Sequence, residues 1–127
     1  MNFKDGLPIY IQIADRLADE ILAGKYKADG RVPAVREYSA LLEVNVNTTA
    51  KAFELLVQRG VLYNKRGLGS FVSPTACDII LASRRRDFLE RTLPELFRTM
   101  RQLGLTPDDL QPLWDAESAP PTRDIPG

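Results

Sequence analysis

The sequence predicts a mainly α-helical fold with one small β-hairpin, in which an N-terminal winged helix-turn-helix is followed by a short C-terminal helical segment. Apolar residues recur at helical spacing in three stretches before residue 60. A short turn separates the second stretch from the third, and two β-type runs joined by a Gly-containing segment follow. We therefore expect residues 1–74 to form the winged helix-turn-helix and residues 75–114 to form the helical segment.

The first predicted helix follows Pro8, which the first turn of a helix tolerates because its missing N–H would be unbonded there. Apolar side chains recur every four residues along this helix, at Ile9, Ile13, Leu17 and Ile21. Gly24 lies just past the last of them and is expected to end the helix in a left-handed conformation. A polar connector over residues 26–32 leads to the next element.

A second helix is predicted over residues 34–42. Its expected buried residues are Val35, Leu41 and Leu42. A tight turn follows, and Asn45 is suited to cap the third helix because its side-chain oxygen can accept a hydrogen bond from the N–H of Asn47 or Thr48. The expected inward face of the third helix consists of Thr49, Ala52, Phe53, Leu56 and Val57. Gly60 should end this helix.

Two β-type runs, residues 61–63 and 70–72, are predicted to pair as a hairpin. The six residues between them supply turn chemistry, because they include two glycines and the basic pair Lys65 and Arg66. Pro74 should end this hairpin, which corresponds to the wing.

The C-terminal segment carries a heptad-like seam of apolar residues. Spaced four, three, four and three apart, they are Leu89, Leu93, Leu96, Met100 and Leu103. Pro94 predicts a kink or a junction of two helices, and Gly104 should stop the run. A last short helix is expected to begin at Thr106 and to be cut off by Pro112. Residues 115–127 contain several prolines and few large apolar side chains, which is typical of a disordered tail.

Composition argues against several classes of function. The chain has 127 residues, a formal net charge of zero, one cysteine and no histidine. A single cysteine cannot form an internal disulfide, which suits a reducing cytoplasm, and no apolar run approaches the roughly 20 residues of a membrane span. Histidine, the commonest zinc ligand and general base, is missing. Because no other catalytic pair, phosphate-binding loop or metal-ligand cluster is apparent, we expect no enzyme and no cofactor.

Charge is distributed unevenly along the chain. The charged side chains between residues 45 and 73 are Lys51, Arg59, Lys65 and Arg66 against the single acid Glu54. From residue 106 to the end, five acids stand against Arg123 alone. The middle of the chain is therefore locally basic although the net charge is zero, which favours a nucleic-acid partner for this part.

Small or flexible polar side chains gather at the N-terminal end of the third helix, the end that enters the major groove in helix-turn-helix proteins. They are Asn45, Asn47, Thr48 and Lys51. Asn can bond the edge of adenine, and Thr can contact a base or a thymine methyl. Arg36 could reach a phosphate or a guanine. Lys65 and Arg66 suit phosphate or minor-groove contact, and Gly67 and Gly69 would let the hairpin tip approach double-stranded DNA closely.

Several of these features also have a purely structural alternative. The second and third helices could form an ordinary helical hairpin, and Asn45 could act only as a helix cap. Arg36 could pair at the surface with Glu37 or Glu43, which would contribute little stability. The glycines of the hairpin could serve only the geometry of the turn.

Five runs of sequence, in register, resemble the GntR family of bacterial transcription regulators. These runs are Pro8–Ile13, Gly24–Tyr26, Arg31–Glu37, Val44–Thr48 and Gly67–Val72. The match covers residues 7–73, and its Val-Asn-x-Asn-Thr element with the brief helical tail is similar to the YtrA subfamily. The resemblance implies that Arg36, Asn45, Asn47, Thr48 and Gly67 occupy DNA-contacting positions.

Three positions depart from the family pattern. Ala34 stands where the family usually has Ser, and losing that helix cap should cost about 0.5–2 kcal/mol. Ala50 stands where many relatives carry Arg, so a base or phosphate contact is expected to be missing. Val46 stands where Pro is common in the subfamily.

These features favour a cytoplasmic, homodimeric repressor that binds a palindromic operator. The C-terminal segment is expected to be too short to enclose a metabolite pocket of about 300 Å³ or more, so its seam is expected to form the dimer interface. The seam could instead pack on its own winged domain. A small-molecule effector could bind at the dimer interface, but no residue identifies it.

The other hypothesis is a winged helix that binds proteins rather than DNA. The absence of net positive charge favours it. The polar face of the third helix counts against it, because protein interfaces favour aromatic and aliphatic anchors.

Overall fold

The computed structural model describes residue 3 and residues 6–118. It divides into two compact units, Met1–Arg84 and Arg85–Gly127. The elements are α1 (Ile9–Leu22), α2 (Val35–Leu42), α3 (Val46–Gln58), β1 (Leu62–Lys65), β2 (Gly69–Val72), α4 (Ala76–Asp87), a π-helical turn (Phe88–Thr92), α5 (Leu93–Leu103) and α6 (Pro107–Ser118). The fold is therefore mainly helical with one hairpin, as predicted. Over the described residues, no helix has the length and apolar character needed to cross a membrane.

Helix α1 supplies one side of the core of the N-terminal unit. Its buried apolar residues are Ile13, Ala14, Leu17, Ala18 and Ile21. Ile9 was expected in the same stripe but is 44% exposed, because it is the first residue of the helix. Gly24 has a φ of +84°, and its N–H and that of Lys25 donate to the carbonyls of Ile21 and Glu20. The predicted left-handed stop is confirmed.

The buried face of α2 differs from the prediction at one position. Leu42 is buried and Val35 is half-buried, but Leu41 is 67% exposed. With 3.6 residues per turn, Val35, Leu42 and Tyr38 share one face, whereas Leu41 lies to the side of it. Tyr38, which the apolar pattern did not single out, is 1% exposed and packs edge-on against Phe53.

The hydroxyl of Tyr38 donates a hydrogen bond to Glu20 Oε1 at 2.8 Å. Burial, followed by this hydrogen bond, raises the pKa of Tyr38 well above its ordinary value. The folded state therefore holds the proton more tightly than the unfolded chain does.

We expect the free energy of unfolding to decline as the pH rises above about 10, because Tyr38 then ionises only in the unfolded chain. Below that pH the contribution is fully present. Urea denaturation at about pH 8 and about pH 11 would measure the decline. Tyr38→Phe should reduce it, while Tyr26→Phe serves as the matched control. An equal decline in both variants would contradict the assignment.

Helix α3 buries the face that its sequence predicts. Thr49, Ala52, Phe53 and Leu56 are buried and Val57 is half-buried. This face packs against α1 and α2. Gly60, with a φ of +83°, ends the helix.

Strands β1 and β2 pair antiparallel, with Leu62 opposite Val72 and Lys65 opposite Gly69. The predicted hairpin is therefore present. Strand β1 ends two residues later than predicted, and β2 begins one residue earlier. The connector before α2 pairs with β2, since the N–H of Val32 donates to the carbonyl of Ser70 at 3.0 Å. Val32 is 1% exposed, so this pairing anchors the hairpin to the core.

In the C-terminal unit, the predicted interruption at Pro94 takes the form of a π-helical turn just before it. The N–H of Leu93 donates to the carbonyl of Phe88, five residues back, and Pro94 lies in the first turn of α5. Because proline lacks an N–H and crowds the preceding turn, a widened turn at this point accommodates its ring.

The π turn alters the predicted seam. Leu89 lies within a turn that closes over five residues, so the uninterrupted α-helical spacing does not apply between Leu89 and the seam residues of α5. On α5 itself, Leu96 and Leu103 are exposed, Leu93 is half-buried and Met100 is 5% exposed. Met100 therefore packs within the protein and offers little free surface.

Helix α6 begins as predicted but ends later. The N–H and hydroxyl of Thr106 both donate to Asp109 Oδ2, at 2.8 and 3.2 Å. Pro112 lies inside the helix and does not end it, since a proline in a helix interior can kink the helix rather than break it. Residues 115–118 are therefore helical rather than disordered, and residues 119–127 lie outside the described part of the chain.

Candidate nucleic-acid interface

Asn45 caps α3. Its side-chain oxygen accepts a hydrogen bond from the N–H of Asn47 at 2.7 Å, which satisfies one of the unpaired donors of the first turn. The structural alternative for Asn45 is thus observed. The cap uses only the oxygen of the side chain, so the amide NH₂ group retains its two donors for another partner.

Three further polar side chains predicted to contact DNA lie on the same helix. Asn47 and Lys51 are exposed and one turn apart, so they share one side of α3, while Thr48 is half-buried. The ammonium of Lys51 lies 4.2 Å from the centroid of the Tyr10 ring. This cation–π contact with α1 was not apparent in the sequence, because it joins residues far apart in the chain.

Arg36 is exposed on α2. Among the described residues, none of the ion pairs involves Arg36, so the predicted alternative of a pair with Glu37 or Glu43 is not observed. Glu37 instead accepts a hydrogen bond from the N–H of Ala34 at 3.0 Å. In a full capping box a Ser hydroxyl at position 34 would accept from the N–H of Glu37, so the carboxylate supplies the other half of the box and does not replace the missing hydroxyl.

The outer face of the hairpin combines aromatic rings with cations. Tyr63 and Phe71 stack with their centroids 5.8 Å apart, and the ammonium of Lys65 lies 4.6 Å from the centroid of Phe71. The hydroxyl of Tyr63 donates to Asp29 at 2.7 Å, which raises the pKa of Tyr63. Arg66 is exposed at the tip.

The two tip glycines have different surroundings. Gly67 has a φ of +74°, and a Cβ there would meet no atom within 4 Å. Gly69 has a φ of +109°, and a Cβ would lie 3.1 Å from Arg31 Nε. Turn geometry therefore favours glycine at both positions, whereas only Gly67 leaves open space for a partner to approach.

A groove of about 530 Å³ separates α3 from the inner face of the hairpin. Its polar lining includes Glu54, Gln58, Asn64 and Ser70. The hydroxyl of Ser70 donates to Asn64 Oδ1 at 2.7 Å. Glu54 supplies a negative charge, which would repel a phosphate but can accept a hydrogen bond from the amino group of cytosine. These four residues are not among the site residues that the sequence predicts.

The C-terminal unit carries a second groove, of about 410 Å³. Its volume exceeds about 300 Å³, but an open groove is not an enclosed pocket, so the expectation that this segment is too short to enclose one stays a prediction. Phe97, Met100 and Leu105 contribute to its lining, and Met100 is the one lining residue that is not exposed. It is a surface groove, because its other lining residues are exposed.

Acidic and cysteine side chains do not gather into a metal site in the described part of the chain. No group of three or more such residues there could hold an ion.

Comparisons with known proteins agree with this geometry. Residues 9–72 match the family described as bacterial regulatory proteins, gntR family. The crystal structure of a GntR-family protein from Bacteroides thetaiotaomicron is 38% identical, with a TM-score of 0.77, and the match covers 86% of this chain and 95% of that one. The HTH-type transcriptional repressor YtrA of Bacillus subtilis is 33% identical over 73 residues, which are 58% of this chain and 56% of YtrA.

A solved protein–DNA complex also matches. The AraR DNA-binding domain, crystallised with operator ORX1, is 31% identical with a TM-score of 0.53, covering 57% of this chain and 93% of that domain. The matched family region contains α1 to β2, and therefore every element of the winged helix. The chain belongs to the GntR family, and is a bacterial-type transcription regulator with a winged helix-turn-helix DNA-binding domain.

Proposed function

We propose that the protein is a homodimeric repressor that recognises the bases of a palindromic operator through α3. The observation that carries this proposal is the exposed polar N-terminal end of α3, set beside an exposed basic hairpin in the same unit. The repressor YtrA and the operator complex of the AraR domain, both similar to this chain, support it.

The major groove is the proposed site of base recognition. Asn47 is exposed at the start of α3 and its side chain has no hydrogen bond to a described residue, so its carbonyl and NH₂ groups can bond adenine together. Thr48 and the NH₂ group of Asn45 would contact a neighbouring base or phosphate. Lys51, steadied by Tyr10, would contact the backbone.

The DNA backbone and the minor groove are the proposed partners of the remaining cations. Arg36 is exposed without an ion pair among the described residues and suits a bidentate phosphate contact. Lys65 and Arg66 would contact the adjacent minor groove from the wing. Gly67 would permit the close approach of the tip, whereas Gly69 acts through the geometry of the turn.

Dimerisation is proposed for the C-terminal segment, residues 75–114, and DNA contact for residues 1–74. The exposed large apolar residues of the C-terminal unit include Phe88, Leu89, Leu96, Phe97, Leu103, Leu105 and Leu113. Soluble monomers rarely expose apolar patches above a few hundred Å², so we assign this surface to a second copy of the chain. Leu93 and Met100 would support the interface from beneath rather than form its surface.

Salt dependence of DNA binding tests the proposal. A dimer that neutralises about 6–10 phosphates should lose about 10³–10⁵ in affinity between about 50 and 200 mM salt, because binding releases condensed counterions. Fluorescence anisotropy of the protein with a DNA duplex from upstream of the protein's own gene would measure this loss of affinity. Binding that hardly changes with salt, or equal binding to a scrambled duplex, would contradict a sequence-specific regulator.

A further inference from the structure

Arg31 lies where the connector between α1 and α2 runs beside the hairpin. It is paired with Phe71 across an antiparallel bridge, and the neighbouring N–H of Val72 donates to the carbonyl of Gly30 at 2.9 Å. Residues bridged in this way project side chains to the same face of a sheet. Arg31 therefore lies on the outer face of the wing, with the Phe71 ring that Lys65 covers.

The guanidinium of Arg31 contacts the wing tip directly. Its Nε donates to the carbonyl of Leu68 at 2.9 Å, and Leu68 in turn donates its N–H to the carbonyl of Lys65 at 2.9 Å. A Cβ at Gly69 would lie 3.1 Å from Nε and 3.5 Å from Nη2 of Arg31. The side chain is thus packed against the backbone of the tip.

This contact uses one of the five N–H donors of the guanidinium. Arg31 is exposed, and the ion pairs among the described residues do not include it. The positive charge of Arg31 therefore lies at the wing, and no acidic side chain among the described residues forms an ion pair with it. An exposed arginine with a fixed stem and unused terminal donors is suited to bidentate contact with a phosphate.

We propose that Arg31 is a further residue of the DNA-binding surface. Its Nε positions the wing tip, and its terminal N–H groups bind a phosphate of the DNA backbone. This proposal rests on the DNA-binding function proposed above.

Two substitutions separate the two roles. In Arg31→Gln, the side-chain Nε2 follows the same number of carbons as Nε of arginine, so it can still donate to the Leu68 carbonyl but carries no charge. In Arg31→Ala, both the donor and the charge are removed. Lys27→Ala is the control, because Lys27 is an exposed cation of the same connector.

Anisotropy titrations of the full chain over a range of salt would test the phosphate contact. Both Arg31 variants should bind cognate and scrambled duplexes roughly ten-fold more weakly. The slope of log affinity against log salt should fall by about one per protomer. Wild-type affinity and slope in Arg31→Gln, or an equal loss in Lys27→Ala, would overturn the contact.

Hydrogen exchange of the DNA-free protein tests the positioning role separately. Amides of residues 62–72 should exchange faster in Arg31→Ala than in wild type, whereas Arg31→Gln should stay close to wild type. Unchanged exchange in Arg31→Ala would overturn the positioning role. A wild-type chain that binds no DNA would instead contradict the proposed function, and the exchange comparison would still report on the wing tip.

Discussion

Leu96→Glu is expected to convert the protein from a dimer into a monomer and to lower its affinity for a palindromic operator by about 10²–10⁴-fold. Leu96 lies in the middle of α5 and is 42% exposed, so a carboxylate there is tolerated in the isolated chain. In the proposed dimer the same carboxylate would be buried without a partner, at a cost of several kcal/mol. Sedimentation at micromolar concentration and operator titration would measure the two effects.

Gln102→Glu is the matched control, because it adds the same charge to an exposed position on a different side of α5. It should remain dimeric and bind normally. A Leu96→Glu variant that is still dimeric, or a wild-type chain that sediments as a monomer, would refute dimerisation through this surface.

Asn47→Ala is expected to relax the base preference of the protein. A bidentate bond from Asn to adenine contributes about 1–3 kcal/mol of discrimination, and a palindromic operator would contain one such contact in each half-site. The loss should therefore fall mainly on the cognate duplex, while binding to unrelated DNA changes little. Competition titrations with duplexes substituted at single positions would locate the base that Asn47 reads.

Lys65→Ala provides the contrast, because a phosphate contact carries no sequence information. It should weaken binding to all duplexes about equally and lower the salt slope by about one per protomer. Equal losses on cognate and scrambled DNA for Asn47→Ala would show that Asn47 does not read bases.

Features that depend on local chemistry were accessible from the sequence. The cap at Asn45 is predictable because its side chain and the N–H of Asn47, which donates to it, are only two residues apart in the chain. Gly24, Gly60 and Gly104 were identified as helix ends, and each has a positive φ. These assignments need only the geometry of one helical turn, which neighbouring residues determine.

Features that depend on contacts between distant parts of the chain were not accessible. Arg31 reaches Leu68 only because the connector pairs with β2, and Lys51 meets Tyr10 only because α1 packs on α3. The interruption at Pro94 is predicted only as a kink or a junction of two helices, and the π turn ahead of Pro94 is not apparent from the apolar spacing. Pro112 was expected to end α6 and does not, because helix propensity alone does not decide whether a proline breaks a helix or only kinks it.

The departure at Ala34 affects one half of the capping arrangement at the start of α2, and its predicted cost of about 0.5–2 kcal/mol stays a prediction. The loss of a serine cap removes one acceptor from the start of α2, but Glu37 still accepts from the N–H of Ala34. Half of the reciprocal capping arrangement is therefore retained.

At Ala50 the small side chain lines the groove beside the hairpin, where an arginine would extend towards a partner.

The central claim is that paired copies of α3 enter successive major grooves of one duplex. A hydroxyl-radical footprint of the full chain on the DNA upstream of its own gene tests it most directly. We predict two equivalent protected patches whose centres lie about one helical turn, roughly 10–10.5 base pairs, or a multiple of it, apart. A single protected patch, or no protection at low salt, would contradict the claim.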